Sequence, residues 1–132
     1  VAELPAAFDP SKILFVGLRN WERGEIKARQ HQYGIKHLTP EEVAADSDAL
    51  RAWLKSCGAS KVVVHFDMDV LDPAEIVAAV GTDPDGMKIE AVIRVINDIA
   101  AEKELVGLTV AEPMPRTAIR LRDMLGRLPL LE

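Results

Sequence analysis

A single cysteine, Cys57, stands in the 132 residues, so no disulfide can close within the chain. Stability must come from a packed core, and a reducing, cytoplasmic compartment is the expected setting. No apolar run approaches the roughly 18 residues that a membrane helix needs, which excludes a helical membrane span. Clustered Lys and Arg are missing as well: 16 basic residues face 21 acidic ones, a formal net charge of -5. That balance excludes a nucleic-acid footprint and suits a cationic ligand or a metal ion. The opening stretch, residues 1–12, has neither an initiator Met nor the basic-then-apolar layout of a signal peptide. The chain is therefore expected to begin inside something longer. What is present is ordinary globular composition, 48% hydrophobic and 28% charged. A chain of this size buries roughly two-thirds of its unfolded surface, enough for one domain with a real core.

Along the chain the apolar pattern alternates between strand-like and helix-like, with turn signals between. Lys12 to Leu18 (KILFVGL) reads as a strand, Glu25 to Tyr33 as a polar helix stopped by Gly34, and Ile35 to Leu38 as a second strand. Thr39, Pro40 and Glu42 then form a capping-box helix start. Leu50, Trp53, Leu54 and Cys57 fall at i, i+3, i+4, i+7, with Gly58 placed for a left-handed cap, so Cys57 is expected in the core. Lys61 to Phe66 (KVVVHF) is the strongest strand signal, apolar and β-branched throughout, as interior strands covered on both faces tend to be. Residues 69–87 form a long Asp-, Pro- and Gly-rich loop of the kind that tends to carry function. A helix marked by Ile89, Val92, Ile93, Ile96 and Ile99, a strand from Leu105 to Val110 and a helix from Thr117 to Leu125 complete a β-α-β-α-β-α-β-α order. Strands alternating with helices predict an α/β fold with a parallel sheet between helical layers, and ligands gather at the carboxyl ends of such strands.

The acidic residues fall at those ends. Asp67 and Asp69 leave the strongest strand and Glu112 leaves the last one. Strand alternation would point Asp67 and Asp69 the same way, roughly 6 to 7 Å apart along the backbone. Two anions there repel unless protonated or bridged, and a hard divalent ion such as Mg²⁺, Ca²⁺ or Mn²⁺ is the simplest bridge. The competing reading is a solvated turn that caps the next helix. Asp72, before a proline, reads as a turn residue, as do Asp83 and Asp85. His65 shares the parity of the two aspartates but lies deeper along the strand, where a hydrogen-bonded core histidine is expected. His31 and His37 show no ligand-like spacing.

HFDMDVLDP, residues 65–73, resembles the Phe-Asp-x-Asp-x-x-Asp-Pro signature of the arginase and agmatinase (ureohydrolase) superfamily. ILFVGLRNWERGE, GIKHLTPEEV and GLTVAEPMPR resemble flanking elements of that family in the right order, from about Ser11 onward. The resemblance implies a three-layer αβα, arginase/deacetylase-like fold, with this chain as one partial domain over residues 1–132. It implies Asp67 and Asp69 as ligands of a binuclear manganese site and Glu112 as the partner of a substrate guanidinium. Thr82 matches the threonine of the family's Gly-Thr loop near the substrate. The implied reaction is hydrolysis of a guanidino group, L-arginine to L-ornithine and urea in arginase, by a metal-bridging hydroxide; Mn²⁺ would then neutralise the acidic cluster. Arginase is favoured over agmatinase and formimidoylglutamase by GLRNWERGE.

The departures are large. The family's Asp-Ala-His-x-Asp stretch and its further metal-binding histidine occur nowhere in the 132 residues. What remains resembles the C-terminal half of the fold, for which little or no arginase activity is expected. A half-sheet should also seek partners, either a missing N-terminal half or further copies of itself. The alternative from another class is a non-catalytic α/β module whose carboxylate pair holds a structural divalent ion.

Overall fold

A computed structural model of the chain describes residues 8–131, apart from 22, 78, 80 and 115–117 and the side chains of 118–121. The expected alternation is observed: β1 (Leu14–Val16), α1 (Gly24–Gln32), β2 (Lys36–Leu38), α2 (Asp48–Ser56), β3 (Lys61–Asp67), α3 (Ile89–Glu102), β4 (Glu104–Ala111) and α4 (Ala118–Leu125). β1 pairs with β2 and β3 with β4, both in parallel. The last helix was expected from Thr117, which lies outside the described residues.

Local sequence explains most of the boundaries. α1 ends where Gly34 takes φ 65°, and α2 ends at Cys57 with Gly58 at φ 70°, both left-handed positions that glycine fills without steric cost. The capping box forms: Thr39 N–H donates to Glu42 Oε2 (2.8 Å) and Glu42 N–H to Thr39 Oγ1 (3.4 Å). It starts a single 3-10 turn, Glu41–Val43, rather than a long helix. The Asp46 carboxylate then accepts the Asp48 N–H (3.0 Å), a local turn bond that competes with helical continuation. Arg94 of α3 ties the intervening segment down by donating to the Val43 and Ala44 carbonyls.

The core lies between α2, α3 and one face of the β3–β4 pair. Leu50 and Leu54 of α2, Val92, Ile93 and Ile96 of α3, and Phe66 of β3 are buried there, with Val62, Val64, Leu108 and Val110 packed against them. The β4 contribution depends on a bulge. Lys61 lies opposite Glu104 and Val62 opposite Leu105, but Val63 lies opposite Gly107, so Val106 is the extra residue. Past it, Leu108 sits beside Val64 and Val110 beside Phe66.

The other face of β3 departs from expectation. The unbroken apolar run predicts cover on both sides, yet Val63 is 67% and Val106 50% exposed, and β4 is the one strand paired with β3 among the described residues. Parallel sheets are normally covered on both faces. Among the described residues the expectation of an interior strand is therefore not met: β3 lies in a two-stranded sheet with one face open.

At the end of β1, Gly17 (φ 81°) donates its N–H to Leu38 O (2.8 Å) and brings the strand exit against the segment after β3. A Cβ there would meet Val70 Cγ2 at 2.4 Å and Met87 Sδ at 2.7 Å. Gly17→Ala is expected to destabilise the chain by about 2 to 4 kcal/mol, combining left-handed strain with overpacking. Urea unfolding measures this, and a loss below about 1 kcal/mol would show that the contact yields easily.

Candidate functional site

The bulge also sets where the acids meet. With Val106 inserted, Asp67 lies opposite Ala111, so Glu112 is the next residue on the neighbouring strand. Glu112 takes φ 57°, a left-handed conformation that costs a non-glycine residue roughly 1 to 2 kcal/mol. Asp69 is not on the strand as alternation predicted. It belongs to a 3-10 turn, Met68–Val70, begun by its own N–H donating to Asp67 Oδ1 (3.3 Å). The turn draws the pair closer than an extended strand would. One carboxylate oxygen from each of Asp67, Asp69 and Glu112 lies within 4.8 Å of the others.

At that spacing each pair of charges repels by roughly 1 to 3 kcal/mol, depending on how far water screens it. Burial first, and then the charges of Asp67 and Glu112, push the Asp69 carboxyl above its ordinary 3.8, against the opposing positive charge of Arg19. The cluster therefore favours a proton or an added cation. Gly81 lies against it: a Cβ at Gly81 would stand 3.0 Å from both Cβ and Oδ2 of Asp69. Thr82, the next residue, is exposed.

The remaining candidates sort differently. His65 is hydrogen-bonded, with Nδ1 2.7 Å from Thr109 Oγ1, but it is exposed rather than in the core because it faces the open side of the sheet. His37 Nδ1 is 3.2 Å from Gln30 Nε2 and its ring meets Trp21 edge-on, a packing role. Asp72 accepts the Ala74 N–H (2.8 Å), as a turn residue should. Asp83 accepts from Asn20 (3.1 Å) and Asp85 takes φ 61°, so both shape the loop. A cavity of about 410 Å³ opens beside the end of β1, with Arg19, Trp21, Thr39 and Asp83 in its lining; the three carboxylates are not among its walls. Sequence reasoning gave Arg19 no role of its own. Its signal was the Gly-x-Arg placed directly after a strand.

The arginase family model matches residues 2–124. The chain belongs to the arginase family. It is 32% identical over 107 residues to an N(omega)-hydroxy-L-arginine amidinohydrolase of Streptomyces lavendulae, a match covering 81% of this chain and 36% of that protein. It is 27% identical to an arginase of Eremothecium gossypii, over 89% of this chain and 31% of the relative. The crystal structure of Entamoeba histolytica arginase in complex with L-ornithine shares the fold with a TM-score of 0.78 at 22% identity, over 94% of this chain and 45% of that one. The α/β arginase fold is thus present in part, and the chain spans about a third of the length of the curated relatives it matches. Among the described residues no helix is long and apolar enough to cross a membrane.

The raised Asp69 carboxyl has a signed consequence. Folding holds its proton to higher pH than the unfolded chain does, so this contribution to stability is full below about pH 3.8 and is lost as pH rises through the folded value. Asp69→Asn removes the charge and with it that pH dependence. In metal-free buffer at pH 7 the variant is expected to be more stable than the parent by a few tenths of a kcal/mol, since water screens the partly exposed site. The gain should disappear near pH 3. Thermal melts at the two pH values check this, and a variant less stable at pH 7 would show that the carboxylate is held favourably.

Proposed function

We propose that the chain is the C-terminal part of a manganese-dependent ureohydrolase of arginase type, acting on a guanidino substrate. The observation that carries this reading is the meeting of Asp67, Asp69 and Glu112 at the carboxyl ends of a parallel strand pair. Their donor set fits the proposed ion in part. Carboxylate oxygens are hard ligands suited to Mn²⁺, Mg²⁺ or Ca²⁺. Among the described residues no histidine joins the cluster, so a hydrated ion would be held weakly.

In this reading Asp67 and Asp69 hold the cation. A bound divalent ion would supply Lewis acidity, polarising water for attack on the guanidino carbon. Glu112 pairs with the planar guanidinium, for which a carboxylate offers a two-point acceptor. Thr82 contacts substrate from the loop that Gly81 lays against Asp69. Hydrolysis then yields urea and an amine, L-ornithine if the substrate is L-arginine. A reducing, cytoplasmic setting suits the buried free thiol of Cys57.

The fold supports reading residues 1–132 as one partial domain that takes a partner. The apolar open face at Val63 and Val106 would be covered by an N-terminal half of the same fold or by a second copy. The missing imidazoles favour a second reading, a non-catalytic module holding a structural divalent ion through the same carboxylates.

Titration with Mn²⁺ followed by electron paramagnetic resonance is expected to give a dissociation constant of about 10⁻⁴ M or weaker, lost in Asp67→Asn. Equal binding by that variant would remove the metal assignment. With L-arginine and Mn²⁺ the chain alone should release little or no urea, and turnover near that of an intact arginase would refute its incompleteness. Urea release that appears when an N-terminal half is supplied distinguishes the enzyme part from the structural module.

Sedimentation at high concentration is expected to show self-association that Val63→Lys abolishes. A monodisperse parent monomer would count against the open face as a contact surface.

A further inference from the structure

Arg19 is placed two residues beyond Gly17, whose missing side chain allows the exit of β1 to lie against Val70 and Met87. From there its guanidinium reaches two segments distant in sequence. Nη2 donates to Asp69 O (3.0 Å) and Nη1 to Val70 O (3.4 Å), both in the turn after β3. Nη2 also donates to Asp83 O (2.6 Å) and Nε to Pro84 O (2.9 Å), both in the loop that follows Thr82. All four acceptors are main-chain carbonyls. The cation therefore acts on backbone position and makes no ion pair with the carboxylate cluster. A planar group with five fixed N–H donors can serve four carbonyls on two strands of chain, which a lysine ammonium cannot match in geometry.

We propose that Arg19 is a positioning residue that locks the turn carrying Asp69 to the loop carrying Thr82, holding both in one arrangement. The close approach of Gly81 to Asp69 depends on that lock, because the loop lies so near the carboxylate that a Cβ added at Gly81 would stand 3.0 Å from Asp69 Cβ. Neighbouring bonds complete the seam: Met87 N–H donates to Val70 O (2.8 Å) and Asp72 N–H to Met87 O (2.9 Å). Without Arg19 the loop keeps its anchor at Met87 and the Asn20 bond to the Asp83 side chain, and loses its main-chain hold at residues 83 and 84. The lock stands on these contacts alone; its consequence for cation binding rests on the ligand roles proposed above.

The test compares Arg19→Ala and Arg19→Lys with Arg94→Ala, which removes an equally multidentate arginine that holds the Val43–Ser47 segment instead. Hydrogen exchange is read at the hydrogen-bonded amides of Leu71, Asp72 and Met87, and Mn²⁺ affinity by paramagnetic resonance. Both Arg19 variants are expected to exchange at least tenfold faster at these amides and to bind Mn²⁺ at least tenfold more weakly. Arg94→Ala, compared at a temperature the same distance below its melting point, should change neither. Exchange in Arg19→Ala no faster than in Arg94→Ala would overturn the lock. Faster exchange with Mn²⁺ affinity unchanged would overturn its positioning role. A parent chain that binds no Mn²⁺ would fail the functional reading and leave the lock to be decided by exchange.

Discussion

Three carboxylates within 4.8 Å of one another define the constraint under which the rest of this chain is arranged. Each pairwise repulsion is of the order of 1 kcal/mol or more, which matters against a domain stability of about 5 to 15 kcal/mol. Among the described residues Arg19 is the cation whose charge acts on Asp69, and it favours the ionised form. It does not win: burial and the two neighbouring acids outweigh it, and the Asp69 carboxyl remains above its ordinary value. The reason is geometric, since every hydrogen bond of the Arg19 guanidinium goes to a backbone carbonyl. Among the described residues no side-chain cation is bonded to the three carboxylates, so the cluster favours a proton or an added cation.

Irregular backbone makes the cluster. Regular pairing would place Asp67 opposite Val110, two residues from Glu112; the bulge at Val106 moves the register by one. The left-handed Glu112 turns the chain out of the strand at that point, and the 3-10 turn folds Asp69 back beside Asp67. The left-handed Glu112 opposes local preference, and strained backbone of this kind persists only where the surroundings over-determine it. Around the turn that carries Asp69 stand Arg19 and the glycines at 17 and 81. Gly17 admits the arginine, Arg19 joins the two segments, and Gly81 lets the second rest on the first.

Sequence reasoning reached most of the secondary structure because its signals are local. Gly34 and Gly58 stop their helices where a left-handed residue is needed, and the heptad-like spacing of Leu50, Leu54 and Cys57 finds the buried side of α2. The capping box at Thr39 forms as the motif predicts, but the helix start it marks is a single 3-10 turn, because Asp46 competes for the backbone one turn later. The strand-end acids were legible from parity and from the Phe-Asp-x-Asp resemblance. The convergence of Asp67 and Asp69 was expected too; the bulge that brings Glu112 beside them was not, since it arises from pairing between distant segments. Arg19 was invisible for the same reason: its four acceptors lie 50 to 65 residues away. His65 was misplaced because a β-branched run reads as covered on both faces, whether or not the second layer belongs to the same stretch of chain.

Parity links that uncovered layer to the site. Val63, His65 and Asp67 alternate along one face of β3, and register sets Gly107, Thr109 and Ala111 beside them. This is the open face, where Val63 is 67% exposed. A layer covering the apolar part of this face and extending along β3 would also reach the strand mouth where Asp67 stands. Cover would remove water from the carboxylates and raise their mutual repulsion several-fold, and it would strengthen their attraction for a divalent cation by the same change in effective dielectric. An ion brings two positive charges to three negative ones, so the attraction grows faster than the repulsion as water leaves. On that reasoning a cation held weakly on the bare face would be held more tightly if such a layer were added, and the two events would be thermodynamically coupled.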